Sequence, residues 1–214
     1  MTDRTFTAAD RLIMHADTAL RTILGRPQTT ERDNPAAGIA EAELEERQRK
    51  HIAGLMRVNH AGEVAAQGLY EGQALTARLP DVRDKMQRAA DEENDHLAWC
   101  EHRVEELGQH KSHLNPVWYF GSLAIGAIAG VAGDRWSLGF VAETERQVVK
   151  HLDEHLAQLP PQDLRSRAIL EQMRADELHH ATTALEAGGA ELPAVIRKLM
   201  ALTSKIMTKT AYRI

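Results

Sequence analysis

Along most of the chain, apolar residues recur at steps of three or four, the spacing that puts them on one face of a helix. The first stripe, Ala9, Leu12, Ala16, Ala19 and Ile23, predicts a helix over residues 8 to 24, ended by Gly25 and Pro27. The stretch from Gln28 to Ala40 is polar, carries Pro35 and Gly38, and reads as a linker. Four longer stripes follow. Ile52, Met56, Asn59, Glu63, Ala66 and Tyr70 mark a helix running from about Glu41 or later to Arg78. Val82, Met86, Ala89, Glu93, His96 and Cys100 mark a second, after Pro80. Leu138, Val141, Glu145, Val148 and Leu152 mark a third, starting near Ser137, and Leu170, Met173, Glu177, His180 and Ala184 a fourth, after Pro161.

Each of these four apolar faces is interrupted by a glutamate, and two of them by a histidine as well. The interruptions repeat. Glu63 is followed 30 residues later by Glu93-x-x-His96, and Glu145 is followed 32 residues later by Glu177-x-x-His180. A proline turn divides each pair: Glu63 lies 17 residues before Pro80 and Glu93 13 after it, while Glu145 lies 15 before Pro160 and Glu177 16 after Pro161. With a rise of about 1.5 Å per residue, the groups in each helical hairpin fold back to nearly the same height. Spacing alone therefore gathers four carboxylates and two imidazoles into one layer of a bundle.

Composition narrows the class. Strand formers are scarce, aromatics are 4% of the chain, and Ala, Leu, Glu and Arg dominate, so the fold is expected to be all-α. A length of 214 residues with 43% apolar content suits one domain plus appendages. The net charge of −5 argues against a nucleic-acid partner. Cys100 is the single cysteine, which rules out an internal disulfide and favours a reducing compartment. Asp3, Asp10 and Asp17 break the first apolar patches, against a signal or transit peptide.

Burying four ionised glutamates without compensation is prohibitive, and no lysine or arginine falls on these inner stripes. Two divalent cations supply the missing charge. One Glu from each of two helices plus Glu-x-x-His from each of the other two is the ligand set of ferritin-like di-iron or di-manganese carboxylate proteins. The i, i+3 spacing lets one Glu and one His reach the same metal. A lone Glu-x-x-His is weak, but two copies on apolar stripes, each preceded by an in-phase glutamate, form a specific pattern.

The run Arg57-Val-Asn-His-Ala-Gly-Glu63, continuing to Tyr70-Glu-Gly-Gln73, resembles the Coq7 family of demethoxyubiquinone hydroxylases. So do Glu93-Asn-Asp-His96-Leu97, the Glu145 to His151 segment and Asp176-Glu-Leu-His-His180, which extends the resemblance over about residues 50 to 214. It implies a ferritin-like four-helix bundle with two iron ions, to which the apolar spacing adds N- and C-terminal helices and a hydrophobic crossover. It also implies a membrane-associated monooxygenase that uses O2 to hydroxylate the ring of a polyprenylated methoxy-benzoquinol in ubiquinone biosynthesis. Carried over by motif, the ligands are Glu63, Glu93, His96, Glu145, Glu177 and His180, the residues the periodicity selects. Within Glu143-Thr-Glu145, Glu145 is chosen by its phase with Val141, Val148 and Leu152 and by the resemblance. Glu63 and Glu145 are expected as terminal carboxylates, Glu93 and Glu177 as bridging ones. Asn59, Tyr70, His151 and His179 are candidates for hydrogen-bonding the ligands.

The expected organisation is an N-terminal helix and linker over 1–40 and a di-iron domain over 41–214. Within that domain lie a membrane-facing crossover at 112–137 and a basic helix at 192–212. Residues 112 to 133 lack Asp, Glu, Lys and Arg, and the core from Val117 to Gly133 is 17 residues long, against about 20 needed for a span. Trp118, Tyr119 and Trp136 suit an interfacial position, and Gly126-x-x-x-Gly130 permits close helix packing. The stretch reads as a crossover between hairpins that also faces lipid. Val195, Leu199, Leu202 and Ile206 form a stripe beside Arg197, Lys198, Lys205, Lys209 and Arg213, which suits anionic lipid or packing on the bundle equally. The expectation is a peripheral protein on the cytoplasmic side of the cell membrane, in a quinone-biosynthesis complex or a homo-oligomer. Two rivals share the pattern. A ferroxidase or iron-handling protein needs no lipid-facing crossover, and a non-catalytic, lipid-binding assembly factor of the quinone pathway has no use for charged core positions.

Overall fold

The computed structural model of the chain describes residues 7–25, 27–30 and 32–214, with side chains described except at 8, 9, 11, 12 and 80–87. Asp3 and the side chains of Ala9, Leu12, Val82 and Met86, which figure in the sequence patterns, therefore lie outside the described set. Among the described residues all regular structure is helical: α1 Ala8–Leu24, α2 Glu46–Thr76, α3 Pro80–Glu106, α4 Asn115–Val131, α5 Asp134–Leu156, α6 Leu164–Glu186 and α7 Ala194–Ala211.

Local chemistry sets the helix ends. Thr7 caps α1 through a reciprocal capping box with Asp10, and the α1 C-cap is Gly25. The α3 helix opens on a proline, whose missing N–H costs nothing there. Asp163 caps α6 by accepting the backbone N–H of Ser166 at 3.1 Å. Asp134, at the start of α5, accepts the backbone N–H groups of Arg78 and Leu79, each at 3.0 Å, which ties the α2–α3 turn to the α4–α5 turn.

The four long helices form a ferritin-like bundle of two hairpins, α2–α3 and α5–α6, joined by α4. Two apolar cores fill it. One holds Ile52, Met56, Trp99, Cys100, Leu152, Leu170 and Met173; the other holds Tyr70, Ala90, Leu138, Val141, Ala142 and Ala184. The glutamate–histidine layer lies between them along each stripe, sealed at both ends by close-packed side chains.

The connection α4 lies along α2 almost backbone to backbone. A Cβ added at Gly68 would meet the Tyr119 carbonyl at 2.3 Å, and one at Gly126 would meet the Leu69 carbonyl at 2.1 Å. Gly72 and Gly130 are equally confined, by the Leu123 carbonyl and the Thr76 hydroxyl. The Gly126-x-x-x-Gly130 pair thus serves a contact within the chain. The opposite side of α4 exposes Val117, Phe120, Ile128 and Val131. On α7 only Ala211 is buried, so the stripe Val195, Leu199, Leu202 and Ile206 is exposed and does not pack on the bundle. Among the described residues no helix is long and apolar enough to cross a membrane.

The α2 helix starts at Glu46, within the expected range, and Glu41 before it pairs with Arg103, whose Nη1 lies 2.6 Å from Glu41 Oε2. Arg103 continues the α3 stripe one step past Cys100 and is fully buried, donating also to Glu106, Asp163 and Ser166. A cation does therefore enter the core, but it neutralises a different set of acids, below the glutamate layer. The Gln28–Ala40 stretch carries no helix among its described residues, yet polar contacts hold it against α3 and α6.

Candidate metal centre

Four helices deliver the six predicted residues to one buried layer: Glu63 from α2, Glu93 and His96 from α3, Glu145 from α5, Glu177 and His180 from α6. Glu63 is 4% exposed, Glu145 2%, and Glu93 and Glu177 1% each. One ligand atom from each of Glu63, Glu93, His96 and Glu177 falls within 4.8 Å of the others.

The two histidines present Nδ1 to the carboxylates. Nδ1 of His96 lies 2.8 Å from Glu93 Oε2 and 3.1 Å from Glu177 Oε1. Nδ1 of His180 lies 3.2 Å from Glu93 Oε1 and 3.3 Å from Glu177 Oε2. Each of these two carboxylates therefore spans both imidazoles, one oxygen to each. Glu63 sits on the His96 side, 4.0 Å from Nδ1. Glu145 accepts the hydroxyl of Tyr70.

The electrostatics follow from burial and crowding. Burial raises Glu63 and Glu145 well above the usual carboxylate range, and the negative Glu93 and Glu177 beside them add to it. Burial also opposes charge on Glu93, but His96 and His180 overcome this and hold it below the ordinary value. The imidazoles respond in the opposite sense. Desolvation works against their charge, yet Glu177 and Glu93 push His180 up to about 12, and Glu93, Asp176 and Glu177 raise His96 well above normal. The layer thus demands positive charge between its carboxylates, which here the imidazole protons supply. Glu93 Oε1 is buried with His180 Nδ1 3.2 Å away, but the two are not aligned for a hydrogen bond. Carboxylate oxygens and imidazole nitrogens are donors that suit iron or manganese, so the residues present fit a metal pair.

The outer ring nitrogens find a second pair of acids that sequence reasoning missed. Nε2 of His96 lies 2.9 Å from Asp176 Oδ2, and Nε2 of His180 lies 2.5 Å from Glu92 Oε2. The bracing is crossed: an α6 acid holds the α3 histidine, and an α3 acid holds the α6 histidine. The signal was present in the sequence as an acid immediately before the inner glutamate in both repeats, Glu92-Glu93-x-x-His96 and Asp176-Glu177-x-x-His180.

Of the four hydrogen-bonding candidates, Tyr70 contacts a member of the layer. Asn59 instead pairs its Oδ1 with Nδ1 of His155 at 2.9 Å. His151 packs on His155, ring centroids 3.9 Å apart. His179 is exposed and lines a cleft of about 170 Å³ with Glu92, Leu138, Val141, His180 and Ala184, which opens the His180 side of the layer to the surface.

Comparison with known proteins adds an independent line. Residues 50–211 match the family described as "Ubiquinone biosynthesis protein COQ7". A Nitrosococcus oceani protein named 3-demethoxyubiquinol 3-hydroxylase is 62% identical over 212 residues, covering 99% of each chain. Proteins of the same name from Stutzerimonas stutzeri and Ectopseudomonas mendocina are 60% identical over 211 residues and 58% over 212, each covering 99% of this chain and 98% and 99% of their own.

Proposed function

Because the chain belongs to the ubiquinone biosynthesis protein COQ7 family, we propose that it is a 3-demethoxyubiquinol 3-hydroxylase working through two iron ions held in the glutamate–histidine layer. The observation that carries this reading is that Glu93 and Glu177 each reach both imidazoles from a buried position. When bound, the iron pair would activate O2, with one oxygen atom going to the quinol ring and the other to water, and two electrons and two protons per turnover coming from an external reductant.

The chain's own residues do the rest. Glu93 and Glu177, each facing both imidazoles, would hold the metal pair together with Glu63 and His96 on one side and Glu145 and His180 on the other. Asp176 and Glu92 accept Nε2–H from the two histidines, which fixes each ring and leaves the Nδ1 lone pair facing inward. Tyr70 fixes the rotamer of Glu145 through its hydroxyl. The apolar cores on either side shield the layer from bulk water except at the cleft beside His180. Six charged or ionisable groups in one buried layer serve no purpose in a protein that only binds lipid.

The exposed apolar side of α4 and the stripe of α7, flanked by exposed Arg197, Lys198, Lys205 and Lys209, support peripheral attachment to an anionic lipid surface, which this reading takes to be the cytoplasmic face of the cell membrane. A polyprenylated quinol dissolved in lipid would reach the enzyme there.

Two measurements test the reading. Protein purified without oxygen should hold two irons per chain, and a strain lacking the gene should accumulate the demethoxy quinone until the gene is restored. Iron-free protein that still restores the quinone would overturn it. Co-sedimentation with anionic vesicles tests the attachment, and recovery wholly in the supernatant would refute that part.

A further inference from the structure

The segment between α1 and α2 makes polar contacts with two acids, Asp95 and Asp176, beside the metal layer. The backbone N–H of Thr30 donates to Asp95 Oδ1 at 2.7 Å and its hydroxyl to Oδ2 at 2.6 Å. Asp95 is fully buried. These contacts fix the chain two residues before Arg32, whose guanidinium lies 4.9 Å from the centroid of the Trp99 ring. From there its Nη2 donates to Asp176 Oδ2, the same oxygen that lies 2.9 Å from Nε2 of His96. Trp99 in turn packs on His96, ring centroids 5.4 Å apart. Asp176 Oδ1 is held separately by Gln172 Nε2 at 2.9 Å.

We propose that Arg32 is a positioning residue of the metal centre: it holds Asp176 against the outer nitrogen of His96 and so tightens the metal position on the His96 side. The proposal rests on the metal-centre reading above. Its physical basis is geometric. A guanidinium is a rigid planar fork that keeps its charge at any working pH, and stacking over Trp99 restricts its orientation further. Asp176 is thereby confined to one rotamer while it accepts from His96. A free aspartate would sample others, and the imidazole would lose the acceptor that sets its tautomer. The opposite side is built differently: His180 is braced by Glu92, whose side chain is 44% exposed and borders the surface cleft. The two metal positions are therefore unequal, with the His96 side the tighter. The segment that supplies Arg32 lies outside the 50–211 stretch matched by the family.

The test is anaerobic Fe(II) binding to the full-length protein, measured by competition with a colorimetric chelator. Removal of an outer partner of a metal-bound histidine typically weakens metal affinity about 10–100-fold, and an effect passed through Asp176 should fall at the lower end. Arg32→Ala should weaken the tighter of the two Fe(II) equivalents about tenfold while leaving the far-ultraviolet circular dichroism unchanged. Asp176→Ala should weaken it at least as much, and adding Arg32→Ala to Asp176→Ala should cost nothing more, because Arg32 acts through Asp176. Arg21→Ala, which removes an exposed α1 cation paired with Asp17 and leaves Arg32 and Asp176 untouched, should leave both affinities intact. Unchanged iron binding in Arg32→Ala, additive losses in the double variant, or an equal loss in Arg21→Ala would each overturn the role of Arg32. Wild-type protein that binds no iron would overturn the underlying reading and this one with it.

Discussion

At the scale of single residues, Glu177 concentrates the chemistry. It lies between both imidazoles, and nothing but its charge separates it from an amide of the same shape. Glu177→Gln keeps the packing volume of a 1% exposed side chain and removes one negative charge from the layer. A neutral amide is a poor metal ligand, so iron retention and hydroxylation should fall by more than the roughly 10–100-fold that loss of an outer partner of a ligand costs. Folding should survive, and the metal-free bundle gains stability wherever relief of a crowded buried charge outweighs the lost pairing with His96 and His180. Iron content, the cellular demethoxy quinone pool and circular dichroism measured on the same variant decide it; a folded variant with full hydroxylation would refute the di-iron mechanism. Arg103 shows the opposite case. It shares Glu41 and Glu106 with Arg165 but is the ion partner of the buried Asp163, so Arg103→Met, which strands that carboxylate, should cost about 3–5 kcal/mol in denaturant unfolding.

At the scale of elements, the glycines of α2 and α4 decide how closely two helices approach. At Gly126 a methyl group would sit 2.1 Å from a helix carbonyl, with backbone rather than a mobile side chain in the way. Gly126→Ala should therefore push α4 off α2 and cost about 1–3 kcal/mol, read as a lower midpoint in thermal unfolding. Gly121 is the control on the same helix: nothing lies within 4 Å of its added Cβ. Gly121→Ala should be neutral, or stabilising by up to about 1 kcal/mol through helix propensity. Equal effects from the two substitutions would mean that the crossing tolerates separation. The helices themselves, and the depth shared by Glu63, Glu93, Glu145 and Glu177, were legible in the sequence because both depend only on a local period of three to four. What faces α4 was not, since Gly126-x-x-x-Gly130 fits a partner in any chain. Arg32, Glu92, Asp176 and Arg103 escaped for the same physical reason. Each acquires its role from a partner 60 or more residues away, and hydropathy does not encode such pairings.

At the scale of the whole molecule, the histidines outside the metal layer set its response to acid. Burial, then the nearby Lys111, pushes His60 down to about 3, and burial with His151 and His51 does the same to His155. An unfolded histidine takes its proton near 6.5. Above that pH both states are neutral and neither residue affects stability. Below it the unfolded chain binds protons that the native chain refuses, so stability is lost as pH falls from 6.5 toward 3, by about 1.4 kcal/mol per pH unit for each histidine. The raised histidines of the layer do not oppose this, because their contribution is complete below 6.5 and declines only as pH rises through their folded values. The raised Glu63 and Glu145 do oppose it, since the native state holds their protons longer and gains from acidification above 4.5. Comparing a variant with its parent isolates one group from the rest. His60 is the choice, being fully buried with neither ring nitrogen hydrogen-bonded. His60→Leu removes the refused proton and an unsatisfied polar ring together. Measured by urea unfolding, its stability relative to the parent should rise steadily as pH drops from 6.5 to 4.5 and stay constant from 7 to 8.5. A difference that does not change with pH would show that His60 titrates in the folded protein as freely as in the unfolded chain.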